Sequence, residues 1–264
     1  MQQLIAPTSS LIRSVGQFLR QELGKVAAGD IETKALNSLV SYVDKTAEEQ
    51  LVEGCSQIVP EAGFITEEET IVSNADKAWR WIIDPLDGTT NFLHQLPFFS
   101  ISVALQHQQK TVMGFVYEVN RDELFYAWKG GGAWLNGKAI QVTPTLSLAD
   151  SLVATGFPYY DFDKTTAYLK MLEQLMKGTR GVRRLGSAAL DLAYTACGRF
   201  DAYFEYSLAP WDVAAGAFLV QEAGGIVSDF SGGGNYIFGK EIMASNPALA
   251  ATMLAHLKTS GLVG

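Results

Sequence analysis

Hydrophobic residues recur at steps of three and four positions along the start of the chain, which is the spacing of an amphipathic helix. The repeat is carried by Leu11, Ile12, Val15, Phe18, Leu19 and Leu23. A second helix is predicted from Thr46 to Ile58, and Pro60 ends it. Residues 63–66 then form a short apolar run that predicts a strand leading into an acidic loop.

From Trp79 to about Ile140 the pattern changes to short apolar runs separated by Gly, Asn and Asp, which is typical of strands joined by hairpins. One antiparallel sheet is the simplest arrangement of these strands. After Pro144 predicted strands alternate with predicted helices, which indicates a layered α/β half. No linker rich in Pro, Gly or Ser separates the two parts, so residues 1–145 and 146–264 are expected to form one compact unit.

Composition and charge narrow the function classes. The 264 residues are 48% hydrophobic and 18% charged, which is ordinary for a folded protein. The 28 acids outnumber the 20 Lys and Arg residues, and a net charge of −8 disfavours nucleic acid or an anionic membrane as a partner. Cys55 and Cys197 lack metal or redox spacing, and no run of about 18 apolar residues occurs. We therefore expect a soluble cytoplasmic protein.

Acidic residues stand out in three segments, ITEEET, DPLDGTT and PWDVAAG. Most of them have a simple structural explanation. Residues 67–69 resemble a solvated charge run, Asp87 is able to cap a helix, and Asp212 lies in a first helical turn, where the helix dipole favours it. Asp84 is harder to explain, because it directly follows the apolar residues 81–83 and should lie at the edge of the core.

The surroundings of Asp84 predict a cation. A carboxylate at the edge of the core is unfavourable unless it is paired, and no basic residue lies between Arg80 and Lys110. Magnesium prefers oxygen ligands and retains waters, so one or two carboxylates per ion suffice. If two ions lie about 3.5 to 4 Å apart, Asp84 is able to bridge them while they clamp a phosphoryl group. Gly88 and the threonines after it would offer N–H and hydroxyl donors to the phosphate.

Other chemistries have less support. The histidines at 94, 107 and 256 are scattered, which disfavours a zinc site or a Ser-His-Asp triad. The glycine-rich stretches GGGAW and SGGGNY lack the lysine of a phosphate-binding loop and indicate turns.

The segments WIIDPLDGTTNF and PWDVAAGAFLVQEAGG resemble the signatures of the inositol monophosphatase family, within the lithium-sensitive, magnesium-dependent phosphomonoesterases. LVSYVDKTAEEQL, GFITEE and RRLGSAALDLAYTACGRFDAYFE extend the resemblance over nearly the whole chain. The resemblance implies a five-layer αβαβα sandwich, with an antiparallel sheet in the N-terminal half and a smaller mixed sheet in the C-terminal half. It also implies a homodimer and two or three Mg²⁺ ions per active site.

The resemblance also implies a set of metal ligands. Glu67 matches a metal-binding glutamate that helps to orient the attacking water, and Asp84 matches an aspartate that bridges two ions. Leu86 matches a position that offers its backbone carbonyl to a metal. Asp87 and Asp212 match the remaining ligands of the second ion.

Catalytic and substrate positions are implied in the same way. Thr89 matches a threonine that works with the glutamate on the attacking water, and Asp44 matches an acid that supports this threonine. The N–H groups of Gly88 and Thr89 are expected to hold the phosphate. The implied substrate positions are Asp87, Gly88, Thr89, Gly186, Ser187, Ala188, Glu205 and Asp212.

The chain departs from the family pattern at a few places. Thr66 replaces the usual glycine before the paired acids, and Glu69 adds a third acid. Thr33 takes the place of a basic residue on a mobile loop, and Lys34 falls one position away. These departures concern the loop and a third, weak metal position rather than the core ligands.

Substrate choice is the most open point. Glu205 offers an acceptor to polyol hydroxyls, which favours myo-inositol monophosphate, although a surface glutamate on a strand is the alternative. Relatives with nearly the same motifs hydrolyse adenosine 3′,5′-bisphosphate, fructose 1,6-bisphosphate or histidinol phosphate. A non-catalytic protein that binds a metal or a sugar phosphate is the alternative from another class.

Overall fold

A computed structural model describes residues 1–35, 38–71, 76–159 and 161–263. Its helices are α1 (Ile5–Glu22), α2 (Tyr42–Ile58), α3 (Thr89–Leu93), α4 (Thr165–Gly178), α5 (Ala188–Ala196), α6 (Pro210–Glu222) and α7 (Ala250–Ser260). Its strands are β1 (Ile31–Ala35), β2 (Ser38–Ser41), β3 (Gly63–Thr66), β4 (Trp79–Asp87), β5 (Ser100–His107), β6 (Lys110–Glu118), β7 (Glu123–Trp128), β8 (Ala133–Leu135), β9 (Lys138–Ile140), β10 (Leu152–Thr155), β11 (Gly181–Arg183), β12 (Ala202–Tyr206), β13 (Ile226–Ser228) and β14 (Glu241–Ser245).

The larger sheet has the order β3-β4-β5-β6-β7-β8-β9, and its strands from β4 onward pair antiparallel. The antiparallel sheet predicted from Trp79 to about Ile140 is confirmed, and β3, for which no direction was predicted, joins it at one edge by pairing parallel with β4. A four-residue apolar strand has the same pattern in either direction, so the sequence carries no signal for this orientation. The smaller sheet, β11-β10-β12-β14-β13, is mixed as predicted.

Helices cover both faces of the larger sheet. On one face α1 and α2 pack through residues such as Leu19 and Leu51 against Trp81 of β4. On the other face α5 and α6, with Leu192 and Leu219, fill the space between the two sheets. Helices α4 and α7 cover the far side of the smaller sheet. The layers are therefore αβαβα, which confirms the predicted sandwich.

Two local details differ from the sequence expectation. Helix α2 begins at Tyr42 rather than Thr46, because the Ser41 hydroxyl accepts from Val43 N–H while Asp44 accepts from Ser41 N–H in a capping box. Strands β1 and β2 form a hairpin that the pattern did not reveal. The side chain of Lys34 lies outside the described residues. The boundary at residue 145 falls between β9 and β10, and the division into two halves stays a prediction.

No helix in the described ranges has the length and apolar character that crossing a bilayer requires.

Candidate active site

A bulge at the end of β4 turns two aspartates toward the same cavity. Asp84 pairs with Ser102 and Asp87 with Ser100, so β4 has one more residue than β5 across this interval. In a regular strand residues three apart point to opposite faces, and the extra residue restores a common face. Pro85 is tolerated here because a bulge does not need its N–H in the ladder.

The N-terminus of α6 brings a third aspartate to the same place. Asp212 accepts a 2.6 Å hydrogen bond from Ala209 N–H. One carboxylate oxygen each of Asp84, Asp87 and Asp212 lie within 4.8 Å of one another. Asp84 is only 1% exposed. Three distant segments therefore converge on one carboxylate cluster.

The electrostatics of this cluster fit a divalent cation. Burial, followed by the charges of Glu67 and the two other aspartates, raises the pKa of Asp84 well above its ordinary value. Burial and the charges of Asp87 and Glu67 do the same to the pKa of Asp212. Among the described residues that line the cavity, Arg184 is the only basic one. A set of crowded carboxylate oxygens without a nearby base suits a hard cation such as Mg²⁺.

Asp87 is fixed by the start of α5. Its Oδ2 accepts hydrogen bonds from the Ser187 hydroxyl at 2.6 Å and from Ala189 N–H at 2.7 Å. Burial raises the pKa of Asp87 to about 6, although these two donors lower it. The start of α5 thus holds Oδ2 of Asp87 in place.

Asp44 lies behind the cavity and contacts Thr89. Its Oδ2 accepts from Ser41 N–H at 2.8 Å and from the Ser41 hydroxyl at 2.7 Å, while its Oδ1 lies 3.0 Å from Thr89 Oγ1. The Thr89 hydroxyl also lies 3.1 Å from Leu86 O, so its one proton has two possible acceptors. Asp44 therefore combines helix capping with orientation of the Thr89 hydroxyl.

The turn after β4 requires glycine. Gly88 has φ +99°, and a Cβ there would lie 3.2 Å from Gly186 O and from Phe98 O. Asn91 ties the same region together by donating to Phe98 O at 2.7 Å and to Leu185 O at 2.9 Å. The turn carrying the N–H groups of residues 88 and 89 is thereby packed directly against the loop that precedes α5.

The acidic loop after β3 depends on a residue that sequence reasoning missed. Glu48, which is fully buried on α2, accepts hydrogen bonds from Glu68 N–H at 2.7 Å, Thr70 N–H at 2.9 Å and the Thr70 hydroxyl at 2.8 Å. Glu48 follows Asp44 by one helical turn, and that spacing is the only sequence signal that both acids share a face. It fixes the loop that carries Glu67 into the cavity.

The part of the cavity around Glu205 combines an acid with a base and aromatic rings. Glu205 is 7% exposed, and burial raises its pKa to about 7, whereas the Tyr203 hydroxyl and the charge of Arg184 lower it. Arg184 donates to Tyr159 Oη at 3.1 Å and lies over the rings of Phe157 and Tyr159. A carboxylate, a guanidinium and two partly exposed aromatic rings therefore surround the space opposite the aspartate cluster.

Most of the residues predicted for the site come together. One cavity of about 310 Å³ is lined by Glu67, Asp84, Leu86, Asp87, Gly88, Thr89, Gly186, Ser187, Ala188, Glu205 and Asp212. Asp44 is the exception, since it reaches the cavity only through Thr89. Phe157, Tyr159 and Arg184, which are not among the predicted site residues, also line the cavity. Arg184 lies in the segment RRLGSAALDLAYTACGRFDAYFE, but no motif distinguishes Phe157 and Tyr159 from ordinary surface positions.

Comparisons with known proteins agree with this architecture. Nus factor SuhB of Escherichia coli is 42% identical over 246 residues, which are 93% of this chain and 92% of that protein. The inositol-1-monophosphatase of Mesorhizobium japonicum is 40% identical over 243 residues, covering 92% of this chain and 91% of that protein. The solved structure of an IMPase from Thermotoga maritima has a TM-score of 0.89 at 35% identity, covering 98% of each chain. A model of the inositol monophosphatase family matches residues 1–262, and the chain therefore belongs to that family.

Proposed function

We propose that this protein hydrolyses a phosphate monoester of a small polyol with the help of Mg²⁺, and that myo-inositol monophosphate is its preferred substrate. The observation that carries the proposal is the cluster of three carboxylates beside the turn at Gly88 and Thr89, in a cavity that ends at Glu205. The products would be inositol and inorganic phosphate.

The carboxylates of Glu67, Asp84, Asp87 and Asp212, with the backbone carbonyl of Leu86, are the groups that would hold two or three Mg²⁺ ions. When bound, such ions stabilise the negative charge that develops on the phosphoryl oxygens and on the departing oxygen. Asp87 suits this role because two donors from the start of α5 fix its carboxylate beside the other two aspartates.

The protein's own groups would orient the reactants. Whether the Thr89 hydroxyl donates to Asp44 or to Leu86 O, a lone pair on Thr89 Oγ1 would accept a hydrogen bond from a water. With Glu67 as a second acceptor, that water would be aimed at phosphorus and would lose its proton toward the glutamate. The N–H groups of Gly88 and Thr89 would hold the phosphate oxygens. Glu205, Gly186 and Ala188 would contact the alcohol portion.

The test is phosphate release by the purified protein at saturating magnesium. Asp84→Asn should reduce turnover of myo-inositol 1-phosphate by about a thousandfold or more, because it removes the shared carboxylate charge. Asp150→Asn, an exposed acid outside the cavity, is the matched control and should keep full activity. Full activity of Asp84→Asn would contradict the proposal.

A panel of phosphate esters tests which substrate the protein prefers. Adenosine 3′,5′-bisphosphate, fructose 1,6-bisphosphate and histidinol phosphate are the alternatives, each with and without lithium. Inhibition by lithium and assembly as a homodimer are further parts of the proposal. Sedimentation analysis measures whether the protein assembles as a homodimer.

A second candidate function comes from the relative named Nus factor SuhB. On this alternative the chain is a non-catalytic binding protein. The presence of every carboxylate that the family resemblance implies as a metal ligand favours catalysis over a purely binding role. Saturable magnesium binding without phosphate release from any substrate would favour the non-catalytic alternative.

A further inference from the structure

The carboxylate of Glu205 is held by a tyrosine on its own strand. Tyr203 and Glu205 are two residues apart on β12, so both side chains point to the same face of the sheet. The Tyr203 hydroxyl donates to Glu205 Oε2 at 2.6 Å, and Tyr203 is fully buried. No described protein group donates to Oε1, and Glu205 lines the cavity. One oxygen is therefore fixed from behind, and the other remains for a ligand.

The carboxylate of Glu205 also packs against Gly156, which follows the neighbouring strand β10. Strand β10 pairs parallel with β12, with Thr155 beside Phe204, and Gly156 follows β10 directly. A Cβ on Gly156 would lie 2.0 Å from both carboxylate oxygens of Glu205. Any larger side chain at position 156 would therefore displace this carboxylate from its place beside Tyr203.

We propose that Tyr203 and Gly156 are positioning residues that set specificity for the alcohol portion of the substrate. Together they orient Glu205 so that Oε1 accepts hydrogen bonds from hydroxyl groups of a polyol. This inference rests on the proposed function, because it concerns the alcohol end of the same cavity. The ligand class is a phosphate ester with neighbouring free hydroxyls, and an ester of an alcohol without such hydroxyls gains nothing from the arrangement.

The chemistry of the pair agrees with this role. Burial and the nearby charge of Glu205 raise the pKa of Tyr203 well above its ordinary value, so the tyrosine keeps its proton and acts as the donor. A hydrogen bond to a charged acceptor is stronger and more directional than one between neutral groups. A buried tyrosine that only filled space would not need its hydroxyl aimed at a carboxylate that lines the cavity.

The test compares two substrates in three variants. Tyr203→Phe removes the hydroxyl and keeps the ring. Gly156→Ala displaces the carboxylate by steric contact. Tyr194→Phe is the matched control, because Tyr194 is also a buried tyrosine, and its hydroxyl has no hydrogen-bond partner among the described residues. The substrates are myo-inositol 1-phosphate and 4-nitrophenyl phosphate, whose alcohol has no hydroxyl beside the ester.

Tyr203→Phe should raise KM for myo-inositol 1-phosphate about tenfold while leaving kcat within about twofold, which is the signature of lost uniform binding. Gly156→Ala should have the same effect. With 4-nitrophenyl phosphate both variants should stay within about twofold of the unmodified protein, as should Tyr194→Phe with either substrate. Equal rises in KM for the two substrates, or no rise for either in Tyr203→Phe, would overturn the proposal.

Calorimetric binding of myo-inositol 1-phosphate provides a readout apart from turnover. Tyr203→Phe should weaken this binding by about tenfold, and Tyr194→Phe should leave it unchanged. If the unmodified protein releases phosphate from neither substrate, the proposed function is contradicted, and the binding comparison still decides the role of Tyr203. Equal affinity of Tyr203→Phe and the unmodified protein would then overturn the inference.

Discussion

The two ends of the cavity both bury carboxylates, but they stabilise them differently. At the aspartate cluster, Asp84, Asp87 and Asp212 crowd together, and the charges of Asp87 and Asp212 raise the pKa of Asp84. At the alcohol end, Glu205 has a tyrosine hydroxyl at 2.6 Å and the nearby positive charge of Arg184. Under the proposed function a cation from solution would neutralise the first end, whereas the protein's own groups favour the charged form of Glu205 at the second end.

This difference shows that burial of an acid does not by itself identify a metal site. What distinguishes the aspartate cluster is the combination of like charges at short range and the absence of a base among the described residues beside it. We therefore expect unequal effects on protein stability from removal of the cation, from loosening of the acidic loop that carries Glu67, and from neutralisation of an acid outside the cluster.

Removal of divalent cations should have the largest effect on stability. Magnesium at about one hundred times its Kd should raise the free energy of unfolding by about 2.7 kcal/mol. For a chain of this size that corresponds to a rise in Tm of roughly 5 to 10 °C. Differential scanning calorimetry with magnesium or a chelator at pH 8 measures the difference, with Asp84→Asn as the variant that should lose it.

The same measurement has a defined pH dependence. An acid whose pKa is raised by folding favours the folded state when protonated, and that contribution is lost as pH rises through the folded pKa. For Asp87 this pKa is about 6, and for Asp84 and Asp212 it is also well above the ordinary value. Chelated protein should therefore lack the Asp87 contribution at pH 8, and the shift caused by magnesium should be larger at pH 8 than at pH 5. Equal shifts at the two pH values would contradict the crowding of ionised carboxylates.

Loosening the acidic loop should have an intermediate effect. Glu48→Gln replaces one of two accepting oxygens by an NH₂ group that faces donors from Glu68 or Thr70, which should cost about 1 to 2 kcal/mol of unfolding free energy. Magnesium affinity should fall as well, because this loop carries Glu67. Urea denaturation and calorimetric titration measure the two effects. Glu49→Gln, the exposed neighbour, is the control, and equal stability of the two variants would refute the role of Glu48.

Neutralising a buried acid outside the aspartate cluster should have the smallest effect. Asp191 on α5 is 1% exposed, and its Oδ1 has no hydrogen-bond partner among the described residues. Burial and the charges of Glu205 and Asp87 raise its pKa well above the ordinary value. Asp191→Asn keeps the shape of the side chain, so the free energy of unfolding should change by less than about 1 kcal/mol. Loss of stability and of magnesium binding together would show that Asp191 belongs to the cation end.

Much of the fold followed from local pattern. The periodic helix at the start of the chain, the run of hairpin strands and the later alternation of strand and helix all appear in the structure. The parallel pairing of β3 with β4 did not follow, because apolar alternation contains no strand direction. The start of α2 was placed too late, because the polar residues of its capping box lie outside the apolar repeat.

The sequence by itself determined which residue types were available: three acidic segments, a glycine turn and a family signature, all defined by neighbours within a few positions. Only the tertiary structure decided how they are used. The bulge in β4 set the common face of Asp84 and Asp87, the start of α5 fixed Asp87, Glu48 anchored the acidic loop, and Tyr203 with Gly156 oriented Glu205. Apart from the Tyr203–Glu205 hydrogen bond within β12, these contacts join residues from separate elements, and their distances depend on how the layers pack, which spacing along the chain does not specify.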